Sequence, residues 1–377
     1  MFHFGMQSFW HAGKAFREQN ITLRKGSEKK MMNYDQQQIF DYLRRLLAIP
    51  SPSGYTGAIM QFLGQELAAL GLGYSATRKG ALLVTLPGLD DERQRTLTAH
   101  TDTLGAMVKA VKPGGTLALA PIGGFMMTAV EGANCTVVTL DGTSYSGTIQ
   151  TIKPSVHISG DDARELKRTP ENMEVVLDEK VFSKEDTARL GIEVGDFICI
   201  DPRTVVTERG FIKSRYLDDK AGVAVLLYVL RHITENGLKL SHTTHFYLSN
   251  YEEVGHGACA AVPAKTQDYI GVDMGAPGVE QNSSEYSVCI CAKDSSGPYD
   301  FELRKELVEI CKRHAIPYRI DVYPRYSSDA SAALRAGWDI RTALVGPGVF
   351  ASHAYERTHI DSIVATIELL LRYLTVA

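Results

Sequence analysis

The stretch Thr243-Thr-His-Phe-Tyr-Leu-Ser-Asn-Tyr-Glu252-Glu253-Val-Gly-His-Gly-Ala258 runs from an apolar segment, through two adjacent carboxylates, into a glycine-rich turn. Thr243 to Leu248 is rich in aromatic and β-branched residues and reads as a strand. Open α/β sheets gather their ligands just beyond such strand ends. Successive residues point in different directions, so Glu253 can face a metal ion while Glu252 faces the space beside it. A hydrolytic two-metal site asks those two jobs of neighbouring carboxylates: one binds, the other takes a proton from water. The plainer reading is a solvated acidic loop. Gly255, Gly257 and Ala258 argue instead for close backbone packing.

Working outward, strands alternate with helices on both sides. Ile39 to Leu47 and Met60 to Leu70 have apolar residues at helical spacing, and Ala81 to Leu86 and Thr96 to His100 read as strands. After Asp218 the spacing predicts helices over Ala221 to Ile233, Phe301 to His314, Ala330 to Ala336 and Ser362 to Leu374. Between them lie strands at Tyr269 to Val272, Tyr286 to Cys291, Tyr318 to Tyr323 and Thr342 to Val345. This pattern implies an α/β fold with a central, largely parallel sheet covered on both faces. Residues 108–207 differ: short apolar runs and turns at Asp141-Gly142 and Ser146-Gly147 predict antiparallel strands, with a charged loop over Ala163 to Pro170. They read as a β-rich insertion between two parts of one catalytic body, 34–107 and 208–377. Residues 1–33, where Phe2, Phe4, Phe9 and Trp10 alternate with basic residues, read as an extension outside the fold.

Composition narrows the function. A chain of 377 residues, 44% hydrophobic, can bury the cores of two domains. A formal net charge of −4 gives no basic footprint for nucleic acid or acidic lipid, and the longest apolar run, Ala221 to Leu230, is too short to span a membrane. Six cysteines without CxxC spacing, Cys289-x-Cys291 included, read as small buried hydrophobes in a reducing cytoplasm.

Four further segments offer ligands at element boundaries. His100-Thr-Asp102 follows a strand, and Asp102 can accept the second ring N–H of His100; the dull alternative is a polar strand end. Asp218-Asp219 precedes a hydrophobic helix, where one acid would serve as a cap and two exceed that need. Asp273 ends a buried strand, a costly place for an unpaired carboxylate. His353 stands near the C-terminus, where a lone histidine is more often structural. Two imidazoles, several carboxylates and no thiolate suit Zn²⁺, Mn²⁺ or Co²⁺.

These segments carry a family resemblance. Ser51-Pro-Ser-Gly54, Ala99-His100-Thr-Asp102-Thr-Leu-Gly105, Leu217-Asp218-Asp219-Lys220-Ala-Gly222, Glu252-Glu253-Val-Gly255, Asp273 and Ser352-His353-Ala-Tyr-Glu356 are similar, in order and spacing, to the tetrahedral or glutamyl (deblocking) aminopeptidases, metallopeptidase family forty-two. Gly191-Ile-Glu-Val-Gly195-Asp196 resembles the close of that family's inserted domain, and Ser328-Asp329-Ala330 its Thr-Asp-Ala turn. The resemblance spans about residues 34–377. It implies a three-layer α/β/α, phosphorylase/hydrolase-like aminopeptidase body with an inserted small, PDZ-like β-barrel that mediates dimer contacts. It implies two divalent metal ions per subunit, zinc foremost, with cobalt or manganese as alternatives. His100 and Asp273 would hold one ion, Glu253 and His353 the other, and Asp218 would bridge both. Glu252 would be the general base, and Asp102 would orient His100. Peptides would be the substrates and homo-oligomers, dimers or dodecamers, the assembly. A dipeptidase, carboxypeptidase or N-acyl-amino-acid deacylase of related architecture, or an inactive oligomeric scaffold, are the alternatives.

Overall fold

A computed structural model describes residues 34–376; the extension expected over residues 1–33 lies outside them. The central sheet has nine strands. Its middle, in the order Leu240–Ser249, Gly88–His100, Thr266–Val272 and Arg341–Pro347, is parallel throughout. Three of these strands are buried along most of their length, and Gly88–His100 over its second half, Leu97 to His100 included, as a sheet covered on both faces demands. Side-chain alternation sorts them into two cores. Phe246, Leu248, Ile270, Val272 and Val345 pack in a large cluster with the helices Gln36–Ala48, Leu217–Glu235 and Ile360–Leu374. Tyr247, Tyr269 and Leu344 pack on the other side with Ala330 and Ala333 of the helix Asp329–Arg335. The result is the α/β/α sandwich expected.

The edges depart from the parallel rule. Leu82–Leu86 is antiparallel to Leu240–Ser249, and Val288–Asp294 is antiparallel to Arg341–Pro347. A short hairpin strand, Tyr74–Ala76, forms the outer rim beyond Leu82–Leu86.

The β-rich stretch is a closed six-stranded barrel, running in space Gly105–Val111, Leu117–Ile122, Met173–Leu177, Ser144–Thr151, Asn134–Val138 and Phe197–Ile200. Closure leaves no free edge. Part of the expected loop over Ala163 to Pro170 is a helical turn, Asp161–Glu165, opened by Gly160 and two acids in its first turn. The strand Met173–Leu177 is regular through its barrel partners, and the short helix Lys184–Arg189 is capped by the Ser183 side chain, which accepts the Asp186 N–H. After the barrel, Val205–Val206 pairs with Phe211–Ser214, which pairs with Glu356–His359.

Candidate metal centre

Each singled-out residue stands where a strand or helix ends on one side of the sheet. His100 is the last residue of its strand, Asp273 follows Thr266–Val272, and Glu252 and Glu253 follow Leu240–Ser249. Asp218 begins the helix Leu217–Glu235 with non-helical backbone angles, φ −78° and ψ 104°. His353 lies in a turn after Arg341–Pro347, in the left-handed region at φ +62°.

The fold brings all of them together around Asp218. One carboxylate oxygen of Asp218 lies 3.2 Å from His100 Nε2, and the other lies 3.5 Å from His353 Nε2 and accepts the Ser352 hydroxyl at 2.8 Å. His100 Nε2 is also 3.7 Å from Glu252 and 4.0 Å from Asp273, while His353 Nε2 is 3.4 Å from Glu253. Two groups of potential ligands therefore share one carboxylate. Ligand atoms of His100, Asp218 and Asp273 all lie within 4.8 Å of one another.

The histidine tautomers follow from their outer partners. His100 Nδ1 meets the main-chain oxygen of Asp102 at 2.9 Å, and His353 Nδ1 meets the main-chain oxygen of Gly124. A carbonyl only accepts, so each Nδ1 donates and each Nε2 is aimed at the acids. The Asp102 carboxylate is 3.5 Å from His100 Nδ1 and has other work. It accepts the Ser53 hydroxyl and the backbone N–H groups of Glu252 (3.2 Å) and Glu253 (3.3 Å), so it holds the acidic pair in place.

Electrostatics favour a cation at this cluster. Two carboxylates about 4 Å apart repel by ~4 kcal/mol at an effective dielectric of about 20. Burial, reinforced by the charge of Asp218, pushes Glu253 up to about 8 and Asp273 up to about 7. Burial also raises Glu252 well above the carboxylate range, with the nearby charges of Asp273, Asp329 and Glu253 adding to it against the pull of His100. Asp218 goes the other way. Burial would raise it, but hydrogen bonds from His100 and His353 and their charges hold it well below the usual range. His353 rises to about 10: burial alone would lower it, but the hydrogen bond and charge of Asp218, the charge of Glu253 and the Gly124 carbonyl outweigh that. Protons on Nε2 thus do, in part, what cations would do. One oxygen of Glu253 is buried with no hydrogen-bond partner, a loss that a ligand bond would repair. Hard oxygen and imidazole donors fit divalent zinc, cobalt or manganese.

Three buried acids have roles that the local sequence does not reveal. Asp219 accepts the backbone N–H of His100 at 3.3 Å and of Gly222 at 3.1 Å, tying helix start to strand end. Glu356 accepts the backbone N–H groups of Asp218 (3.1 Å) and His353 (3.2 Å). Asp329 accepts the hydroxyls of Thr98, at 3.1 Å, and Ser249. Their signal is weak because each looks like an ordinary cap or turn acid. The cluster opens on a cavity of about 760 Å³, also lined by Gln281, Tyr323, Arg325 and Tyr326. That size suits a short peptide segment.

The layered sheet, its inserted barrel and the acid–imidazole cluster at the strand ends define a peptidase. The chain belongs to the M42 glutamyl aminopeptidase family, whose sequence profile matches residues 80–369. It is 48% identical over 333 residues to YhfE of Bacillus subtilis (strain 168), which carries the provisional name of aminopeptidase; the match covers 88% of this chain and 96% of that one. A Lactococcus lactis protein named glutamyl aminopeptidase is 24% identical over 206 residues, covering 54% of this chain and 57% of its own. Among solved structures, the TET1 peptidase of Pyrococcus horikoshii superposes with a TM-score of 0.78 at 22% identity, over 90% of this chain and all of the other. The TET aminopeptidase of a marine-sediment Thaumarchaeota archaeon gives 0.81 at 18% identity, over 90% and 96% of the two chains. At such identities the structures attest the fold.

Proposed function

We propose that this peptidase releases N-terminal amino acids from peptides, using two divalent cations held at the strand ends. The observation that carries this reading is Asp218, set between His100 with Asp273 on one side and His353 with Glu253 on the other, with Glu252 unassigned to either set and 3.7 Å from His100. Bound there, the cations would acidify a shared water and draw charge from the scissile carbonyl. Glu252 takes a proton from the attacking water as the C–O bond forms. It then delivers that proton to the departing nitrogen as the C–N bond breaks, leaving a carboxylate and a free amine. Burial and the neighbouring acids raise its proton affinity in the absence of cations. The cavity's acids, Asp218, Glu252, Glu253 and Asp273, all belong to this cluster, so a free amino end of the substrate would lie beside it, which supports cleavage at the chain end.

Glu252→Gln keeps shape and removes the base. Its kcat/KM on aminoacyl-anilides should fall at least 10²-fold with metal content unchanged. Near-normal turnover in a metal-loaded variant would end the assignment. The same assay run with N-acyl amino acids distinguishes the deacylase alternative.

Two finer readings belong here. Arg325 is the only Arg or Lys lining the cavity and makes no ion pair among the described residues, which supports acidic side chains at the cleaved residue, in line with the family's description as glutamyl aminopeptidases. The Pyrococcus horikoshii peptidase is described as assembling into a tetrahedron or a large octahedral shell. Leu140, Ile158, Phe182 and Val194, exposed on or beside the barrel, support self-association of this chain as well, with dimers built through the barrel. No helix among the described residues is long and apolar enough to cross a membrane, and the six cysteines are free, which supports a cytoplasmic setting.

A further inference from the structure

We propose that the segment Gly123–Met126, which leaves the barrel after its strand Leu117–Ile122, positions His353 as a metal ligand, so that the cation held by Glu253 and His353 depends on the inserted barrel while the one held by His100 and Asp273 does not. This rests on the two-cation reading above. The two imidazoles are held in different ways. His100 is 2% exposed, and its Nδ1–H is taken by Asp102, two residues along the same chain segment. The side chain of His353 is 41% exposed and sits on a turn residue at φ +62°, a conformation that a non-glycine residue keeps only when its surroundings impose it. Glu356 of the catalytic body accepts the His353 backbone N–H at 3.2 Å, and the barrel's chain supplies two further contacts. Gly124 offers its main-chain oxygen to Nδ1, and the Met126 N–H donates to the main-chain oxygen of His353 at 3.4 Å. Ring and backbone are thus bracketed by one short loop.

The same loop lies against the other ligand of that cation. Gly123, at φ +71°, passes so close that a Cβ there would sit 2.5 Å from Leu104 Cδ2 and 3.3 Å from the main-chain oxygen of Glu253. Just beyond the loop, Arg215 of the catalytic body donates to the main-chain oxygens of Ala129, between two barrel strands, and Asp201, just after the last one, both at 2.7 Å, pinning the barrel's chain to the body at two points. No comparable contact from the barrel reaches His100 or Asp273 among the described residues. An outer partner that fixes a ligating imidazole is worth about 10–100-fold in metal affinity.

Zinc titrated calorimetrically into the metal-free protein tests this without reference to activity. The native chain should take two ions. Gly123→Ala, which puts a side chain at φ +71° and crowds Leu104 and the main chain of Glu253, should keep one affinity and weaken the other by about 10–100-fold. Gly114→Ala, in the barrel turn before Leu117–Ile122 where a Cβ meets open space, should match the native chain. In a His353→Gln background, Gly123→Ala should add no further loss; a persisting loss would mean that the loop acts through Glu253 and would overturn the assignment to His353. Where Gly123→Ala does not fold, Met126→Pro serves. Its φ of −79° accommodates proline, and only the N–H aimed at His353 is lost, so a several-fold weakening of the same ion is expected. Two undiminished affinities in a folded variant overturn the inference alone. A native chain that takes no second ion instead sinks the two-cation reading beneath it.

Discussion

Buried carboxylates outnumber the cationic groups that face them at this centre, and the side chains divide the consequences unequally. Asp218, touched by both imidazoles, stays ionised; Glu253 and Asp273, with fewer opposing charges, are pushed up to about 8 and about 7. The residues that would carry chemistry are legible in the sequence because acids and imidazoles at strand ends are chemically conspicuous. Asp219 and Glu356 are less so, since their work is to hold backbone N–H groups of ligand residues, and nothing local announces that. Asp102 shows the limit well. Spacing suggests a carboxylate turned to His100; the folded chain keeps that carboxylate 3.5 Å from Nδ1, adds its own carbonyl at 2.9 Å, and sets the same carboxylate on Ser53, Glu252 and Glu253. Arg325 sits at the opposite extreme, exposed and unpaired. Arg325→Ala should raise KM for glutamyl-anilide about tenfold and leave leucyl-anilide nearly unchanged, a charge-assisted hydrogen bond at a solvated site being worth about 1.5 kcal/mol. Equal losses on both substrates would refute the acidic preference.

The elements matter through how closely they approach. Gly222 lies in the helix Leu217–Glu235, where a Cβ would sit 2.3 Å from an Asp219 oxygen and 2.4 Å from the main-chain oxygen of Val272. The glycine in Asp218-Asp219-Lys220-Ala-Gly222 therefore lets the helix start meet the end of the neighbouring strand, and that contact brings Asp218 beside Asp273. Gly222→Ala should destabilise the protein by about 1–3 kcal/mol in denaturant unfolding and weaken metal binding, because overpacking a tight core contact shifts the backbone. An unchanged unfolding midpoint would show that the contact relaxes freely. Element type was well indicated by period and composition, and the long helices and buried strands lie where their patterns put them. The short barrel elements were not, because a strand such as Met173–Leu177 takes its regularity from partners at Ser144–Thr151 and Leu117–Ile122.

At the scale of the whole molecule the cluster couples stability to protons and cations. Without metal, Glu253 at about 8 and Asp273 at about 7 lie above the unfolded carboxylate value near 4, and His353 at about 10 lies above the unfolded value near 6.5. The native state then binds more protons than the unfolded state through this range, so stability falls as pH rises from about 5 to 8. Melting temperatures of the chelator-treated protein should decline over that interval, and zinc should restore more stability at pH 8 than at pH 6. Loading at pH 7 should release protons, visible as binding heats that change with the ionisation enthalpy of the buffer; heats independent of buffer would contradict the proton inventory. Light scattering on the eluted native protein should give a mass above 41.4 kDa, and a monomer at micromolar concentration would remove the self-association reading.

By itself the chain's sequence determined the α/β alternation, the presence of a β-rich stretch within it and the kinds of chemical group available, because periodicity, turn residues and side-chain chemistry are properties of near neighbours. Which acid stands between the two imidazoles, and which carbonyl fixes each ring, was decided only by the tertiary structure. Asp218 meets His100 across 118 residues and Ser352 across 134, and His353 meets Gly124 across 229. Such meetings depend on the order in which strands cross over within the sheet and on where the barrel rests, and no local stretch of sequence encodes either.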